Sequence, residues 1–415
     1  MLRVVLLILP LVLGGEDLKT LLEATSKHSD LLKAKSAITK SKEYELESKK
    51  SSFYPTIDLG ASYENSSNVS LMQTRDRYSV SATASLDLYD GGAKISAKDA
   101  ALNLLRSSQK DESFFANSLS LEIAKLFFAI KSKDAKLDAL RAKREAISKQ
   151  LERLESFFDA GLASKDELLR LRSSYESTLY ELEFVLYERV ELVKQLELKS
   201  GYEPKSFDES HFIKDATLEF EISDEISSLE HKSSAIRLQA REIESIYYPR
   251  LSLQNRYSRF WYAPKREFSL PNMPEFKVDL EYQNTLMLNL NMRLFDFGSV
   301  SSSKKALLLN SQAMAYEREF KTKEQKQNYE LAKDKIASTK RLIASSQSAY
   351  DAAESTFVLV SKKYEARLVD YVAYLDALST KAEAEAMLSA SKYELESAYA
   401  LLYFYANKEI GEFLK

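Results

Sequence analysis

Three landmarks occur twice in this chain, in the same order. Tyr54-Pro55-Thr56-Ile57-Asp58-Leu59, ending in Tyr63, returns 194 residues on as Tyr248-Pro249-Arg250-Leu251-Ser252-Leu253, ending in Tyr257. Leu88-Tyr89-Asp90-Gly91-Gly92 returns 206 residues on as Leu294-Phe295-Asp296-Phe297-Gly298. Phe158-Asp159-Ala160-Gly161-Leu162 returns, again 206 residues on, as Tyr364-Glu365-Ala366-Arg367-Leu368. The constant offset means that both copies have one length from Leu88 to Leu162; twelve extra residues lie between Pro249 and Leu294. Self-similarity at a fixed spacing is the mark of a duplicated architecture, so the chain must lay down the same set of elements twice.

Within each copy the pattern first has period two. Ile57, Leu59, Ala61 and Tyr63 alternate with Thr56, Asp58, Gly60 and Ser62. Tyr78, Val80, Ala82, Ala84, Leu86 and Leu88 alternate with Ser79, Ser81, Thr83, Ser85 and Asp87. In the second copy Tyr282, Leu286, Leu288, Leu290, Met292 and Leu294 oppose Glu281, Gln283, Thr285, Asn289, Asn291 and Arg293. Its partner, 250–262, is less regular, with Leu251, Leu253, Tyr257 and Trp261 sharing a side. Such alternation predicts strands with one apolar and one polar face. Loops around 65–77 and 263–279, the latter with Pro264, Pro271 and Pro274, close two hairpins.

After each hairpin the period changes to that of a helix, over about 65 residues without proline. Leu119, Ile123, Leu126, Ile130, Leu137, Leu140, Ile147, Leu151, Leu154 and Phe158 follow a 4-3 alternation broken only at Lys133 and Arg144. That is a coiled-coil seam, and at 1.5 Å per residue the helix is roughly 100 Å long. A return helix follows from about Asp166 to Lys199, with Gly161 as the permissive residue at the reversal. The second copy repeats this from Ser299 to Tyr364 and from Tyr371 to Ala406, with a weaker seam. The chain holds only 9 Gly and 7 Pro, as long uninterrupted elements require. Residues 201–222 read as an irregular connector with a short strand at Leu218–Ile222.

Composition removes whole function classes. There is no cysteine, hence no disulfide, thiolate metal site or cysteine nucleophile, and none near the start to carry a lipid. His28, His211 and His231 are scattered, so neither a histidine metal site nor a Ser/His/Asp triad is expected. A net charge of −3 gives no basic footprint for nucleic acid. Asp111-Glu112 and Asp166-Glu167 are acidic doublets on helices, and no phosphate-binding glycine loop or H-E-x-x-H is present. No catalytic residue, cofactor or metal is expected.

Met1–Leu13 is a basic start followed by ten apolar residues, Val4–Leu13, then Gly14-Gly15. Ten are too few to span a bilayer, where about 20 are needed, and match a cleavable export signal; the alternative is a buried N-terminal helix. No later run reaches 18 apolar residues. Any membrane crossing must therefore use strands. Four strands of ten to twelve residues suit a tilted transmembrane strand, which needs about 9–11. They cannot close by themselves, and an open sheet leaves unpaired backbone groups in lipid. Two copies would supply eight strands around a filled lumen; three would supply twelve around water. A soluble sheet half-buried on a helix has the same faces.

The order of these motifs carries a resemblance. An export signal, an N-terminal helix, a Y-P-x-[IL]-x-L strand, L-Y-D-G-G at the strand-to-helix junction, a long helix and F-x-x-G-L-A-S before the return helix, all repeated, resemble the TolC-type outer-membrane efflux proteins. The resemblance covers essentially the whole mature chain. It implies a mainly α fold with a transmembrane β part: a homotrimer sharing a 12-stranded β-barrel, continued by a periplasmic α-helical barrel with a small mixed equatorial region. The expected segments are a signal peptide at 1–15, an N-terminal helix at 16–52 and a first transmembrane hairpin at 53–89. A coiled-coil helical hairpin at 90–200, an equatorial connector and helix at 201–246 and a second transmembrane hairpin at 247–296 follow. The second helical hairpin is 297–406 and the C-terminal tail 407–415.

The family implies an exit duct for an efflux pump or type I secretion system in the outer membrane of a Gram-negative-type bacterium; with no cysteine near the start, no lipid anchor is expected. Its partners would be a periplasmic adaptor and an inner-membrane transporter. The resemblance puts tunnel closure and adaptor docking at the helix reversals: Gly161, Leu162, Ala163 and Ser164 in the first, Ala366, Arg367, Leu368 and Val369 in the second. Arg367 stands where the first copy has Gly161 and is the candidate tether. Leu375-Asp376-Ala377 matches the family's L-D-A, which makes Asp376 a candidate for an acidic constriction ring. Where members often carry a second Asp three residues before it, this chain has Ala373; Asp370, one turn away, is the candidate substitute. Gly91, Gly92 and Gly298 turn strand into helix, and Trp261 with the tyrosines near the hairpin ends forms an aromatic girdle. The competing reading is a periplasmic adaptor or secreted coiled-coil scaffold.

Overall fold

The computed structural model describes residues 16–67, 74–214, 218–263, 267–268, 276–277 and 280–415. The export segment, 1–15, lies outside the described residues, as does most of the loop with Pro264, Pro271 and Pro274. The elements run α1 (Leu18–His28), α2 (Asp30–Ser51), β1 (Thr56–Asn65), β2 (Asp76–Tyr89), α3 (Ala93–Asp159), α4 (Lys165–Ser200) and α5 (Asp224–Glu244). Then come β3 (Arg250–Ala263), β4 (Glu267–Phe268), β5 (Phe276–Lys277), β6 (Tyr282–Asn291), α6 (Ser299–Glu365) and α7 (Tyr371–Tyr405). The molecule is mostly helical with a small sheet, and it divides into two compact units.

One unit comprises residues 38–110 and 227–319. Four of its strands form one antiparallel sheet in the order β1-β2-β3-β6. Register puts like faces together: Ile57 faces Ala84, Leu59 faces Ala82, Tyr63 faces Tyr78, Leu86 faces Leu253 and Leu253 faces Leu288. A one-residue slip would turn every apolar side chain over, so the alternation fixes the register. The opposite face is polar and cross-linked by its own side chains. Ser62 and Ser79 hydroxyls lie 2.7 Å apart, Arg256 Nε donates to Thr83 Oγ1 at 3.2 Å, and Arg77 bonds Glu64. Residues 263–279, expected as plain loop, carry the short β4–β5 ladder. Two residues per strand are too few to show a period.

Both strand-to-helix junctions use one device. Asp90 Oδ1 accepts from Gly92 N–H at 3.0 Å and Oδ2 from Lys94 N–H at 2.8 Å; Asp296 does the same for Gly298 (3.0 Å) and Val300 (2.8 Å). Each carboxylate satisfies two orphan donors at the start of a 67-residue helix. Gly91 (φ +72°) and Phe297 (φ +55°) occupy the same left-handed position. Along the helices of this unit, buried hydroxyls pair across close contacts: Ser107 with Ser228 and Ser233 with Ser311, each at 2.9 Å.

The other unit comprises 1–37, 111–226 and 320–415. Its core gathers Leu18, Leu21, Ile123, Phe127, Phe128, Ile130, Leu196, Phe212, Tyr403, Ile410 and Leu414. The seam of α3 is buried at Leu119, Ile123, Ile130, Leu137, Leu140, Ile147 and Leu154, and Phe158 at its end is 37% exposed. Phe127 and Phe128, off the seam, are buried as well, because the connector and the C-terminus pack on further sides of α3. By length and hydropathy α3 could cross a membrane, but its apolar residues are spent on this core. Ion pairs flank the α3–α4 seam, with Lys133 on Glu188 at 2.7 Å and Lys136 on Glu181 at 3.0 Å.

Two expectations change here. The N-terminal helix, expected as one element over 16–52, is two helices broken at Ser29, whose hydroxyl donates to Lys199 O at 2.9 Å. Gly201, at φ +67°, closes α4 so near this break that a Cβ would stand 2.7 Å from His28 O. Residues 218–222 form no strand. The bridges lie instead at Glu16↔Phe207 and Phe212↔Leu414, where the connector meets both ends of the described chain.

Candidate functional site

The two helix reversals share one hydrogen-bond pattern. After α3, Gly161 takes φ +74°, Gly161 N–H donates to Phe158 O (2.9 Å) and Leu162 N–H donates to Phe157 O (2.7 Å). After α6, Arg367 takes φ +58°, its N–H donates to Tyr364 O (3.0 Å) and Leu368 N–H donates to Lys363 O (2.8 Å). This is a left-handed helix stop, free of strain for glycine and costing an arginine about 1 kcal/mol. Ser164 then caps α4 through a capping box with Glu167, both bonds at 3.2 Å. Asp370 caps α7, its Oδ1 accepting from Ala373 N–H at 3.0 Å.

Each sequence-identified residue thus has a place. Gly161, Leu162, Ala163 and Ser164 make the first turn; Ala366, Arg367, Leu368 and Val369 make the second. Leu162 and Leu368 point outward, 67% and 74% exposed, at equivalent positions. The Asp370 carboxylate is committed to its own helix end. Asp376 is exposed on α7 and has no hydrogen bond or ion pair among the described residues.

Arg367 reaches from the second reversal to the first helical hairpin. Its guanidinium lies 5.5 Å from the centre of the Phe157 ring, and Arg153 lies 5.5 Å from the same ring. Beneath them Ile147, Leu154, Leu171, Tyr374 and Leu378 form a cluster, with Tyr364 stacked on Tyr374 at 5.1 Å. The cluster draws on α3, α4, α6 and α7, so the two reversals of one chain are joined by packing. Burial pushes the Tyr364, Tyr371 and Tyr374 phenols above their ordinary value. The Tyr371 hydroxyl and Gln150 Oε1 are buried without a partner among the described residues. Phe157 and Arg153 were missed by sequence reasoning; four residues apart on one helix face, they carried only that spacing as a signal.

Nothing in this geometry activates a nucleophile, and among the described residues no group of three His, Asp or Glu could hold a metal ion. Residues 21–201, which run from α1 through the first hairpin, α3 and the first reversal to the end of α4, match the outer membrane efflux protein family. The chain resembles the TolC-type outer membrane efflux proteins. That family is one of transport channels rather than enzymes. No curated protein sequence matches the chain.

Solved outer membrane proteins share the fold along nearly the whole length. The CmeC outer membrane channel of Campylobacter jejuni aligns with a TM-score of 0.82 at 14% identity, over 96% of this chain and 86% of that one. The outer membrane protein VceC of Vibrio cholerae aligns at 0.76 and 15%, over 95% and 96%. The MtrE outer membrane channel of Neisseria gonorrhoeae aligns at 0.76 and 14%, over 95% and 89%. At such identities the likeness is one of fold.

Proposed function

We propose that three copies of this chain close a twelve-stranded barrel in the outer membrane of a Gram-negative-type bacterium, continued into the periplasm by a tunnel of their long helices. The pore is the passive exit duct of a tripartite efflux pump for small toxic compounds, or of a type I secretion system, working with a periplasmic adaptor and an inner-membrane transporter. The segment 1–15 exports it.

The observation that carries this reading is the sheet. Its apolar face is bare, with Leu59 82% and Leu286 69% exposed, and among the described residues neither β1 nor β6 is paired along its outer edge. In water the face is a liability, and in lipid the edges are. Both are removed if β6 of each copy pairs with β1 of the next, a head-to-tail contact that closes after three. Twelve strands leave room for water against the Ser, Thr and Gln face. The duplicated hairpins, junctions and reversals then supply pseudo-equivalent pieces around the axis.

In that assembly the reversals are the gate and the adaptor's landing place. Arg367 on Phe157 is the tether, Leu162 and Leu368 are the docking knobs, and the Asp376 carboxylates ring the constriction. Asp370 acts by fixing the end of α7. The test is assembly and conduction: purified from the outer-membrane fraction, the protein sediments as a trimer in detergent and opens channels in planar bilayers. A monomer that stays dissolved without amphiphile overturns the reading.

A further inference from the structure

One cationic side chain lies on the mainly apolar face of the sheet. Arg259 lies opposite Val80 of β2 and Tyr282 of β6. Towards the helices the same face carries Leu59, Ala82, Tyr257 and Asn284, then Ile57, Ala84, Asn255 and Leu286, then Leu86, Leu253 and Leu288. Towards the hairpin turns it carries Tyr63, Tyr78 and Trp261, and beyond them Asn65 and Asp76. Arg259 is the one cationic side chain on this face of the four strands, one row from the aromatic Tyr63, Tyr78 and Trp261 and two rows from the polar Asn65 and Asp76.

The other strand arginines have work on the opposite face: Arg77 on Glu64, Arg250 on Asp87 and Arg256 on Thr83. Arg259 has no carboxylate partner among the described residues. Asp76, the acid on its face, is occupied by the Tyr63 hydroxyl at 2.7 Å and the Asn65 amide at 2.6 Å. What Arg259 does have is Trp261, whose ring centre lies 5.6 Å from the guanidinium carbon, and the exposed Tyr282 phenol directly across the ladder.

An arginine facing lipid is costly at the midplane and nearly free close to the headgroups. There the counter-charge on offer is phosphate, which the guanidinium fork grips with two parallel hydrogen bonds. We propose that Arg259, steadied on the Trp261 ring and flanked by the Tyr282 hydroxyl, binds the phosphate of a phosphorylated lipid headgroup in the leaflet nearest the hairpin turns. The site rests on the barrel reading, because only a sheet in a bilayer brings lipid to this face.

The chain contains a single tryptophan, so its fluorescence reports on this position alone. In maltoside micelles, which carry no phosphate, added bisphosphorylated lipid A should change Trp261 emission saturably. Arg259→Gln should move the midpoint by about tenfold, the loss of one charge-assisted contact, with Arg259→Lys in between. Inorganic phosphate at equal concentration should have no effect. A Gln variant that titrates like the parent, or an equal response to inorganic phosphate, overturns the lipid site. In liposomes, lipids with brominated chains should quench Trp261 in parent and variant alike. Absence of that quenching in the parent removes the barrel reading and the site with it, whereas quenching with an unaltered Gln titration removes the site alone.

Discussion

The Arg367 guanidinium lies 5.5 Å from the centre of the Phe157 ring, a contact between the second helix reversal and the end of the first long helix. Such an exposed pair contributes about 0.5–1 kcal/mol, and a threefold assembly makes it three times around one axis. Arg367→Ser and Phe157→Ala should each raise single-channel conductance in planar bilayers. The double variant should gain no more than the larger single change, because both remove one contact. Additive gains, or unchanged traces, would take this pair out of the gate.

Gly91 and Phe297 occupy equivalent left-handed positions with opposite tolerance. A Cβ at Gly91 would stand 2.7 Å from both Ser245 O and Tyr248 Cβ, whereas Phe297 is 92% exposed and touches Phe295 at 4.7 Å. Gly91→Ala should destabilise by more than about 1 kcal/mol. Phe297→Gly trades relief of backbone strain for a lost ring contact and should stay within about 1 kcal/mol of the parent. Thermal unfolding in detergent measures both, and equal midpoints would refute the asymmetry.

Asp17 caps α1 by accepting from Thr20 N–H at 2.8 Å, and its hydrogen bonds to Thr20 hold the carboxyl below its usual value of 3.8. A lowered folded-state value means the cap's contribution is complete above that usual value and is lost as pH falls through the folded-state one. Asp17→Ala should cost about 1 kcal/mol at neutral pH. Parent and variant should converge in strongly acidic buffer. Amide exchange at Thr20 across that range follows the cap directly, and a gap that persists in acid would refute the carboxylate's role.

Much of this was written in local sequence. Strand faces followed from alternation, the strand-to-helix turns from Gly91, Gly92 and Gly298, and the first reversal from Gly161, whereas the capping by Asp90 and Asp296 showed only in the fold. Arg367 was found only because the copies could be laid over one another, since an arginine does not announce a left-handed turn. What stayed hidden was set by distant partners. The break at Ser29 depends on Gly201 and Lys199, far along the chain. Phe127 and Phe128 are buried although they lie off the coiled-coil seam, because α3 is covered there by more than its partner helix. Phe157 reads as one more apolar residue near a helix end until Arg367 is placed over it.

Glu396 shows the same dependence at the connector that follows α4. It is 3% exposed on α7, accepting from Phe212 N–H at 2.9 Å while Lys214 Nζ lies 2.6 Å away and His211 Nδ1 3.4 Å. Lys214 is part-exposed, so its ion pair should contribute only about 0–1 kcal/mol. The backbone bond is another matter: Glu396→Ala leaves a buried N–H without an acceptor, costing about 1–3 kcal/mol. Glu396→Gln keeps an acceptor and should fall between. Proteolytic cutting within residues 203–214 should therefore accelerate most in Glu396→Ala and least in Lys214→Ala. If Lys214→Ala opened the connector as readily as Glu396→Ala, the ion pair rather than the backbone bond would be what fastens this segment to the helical core.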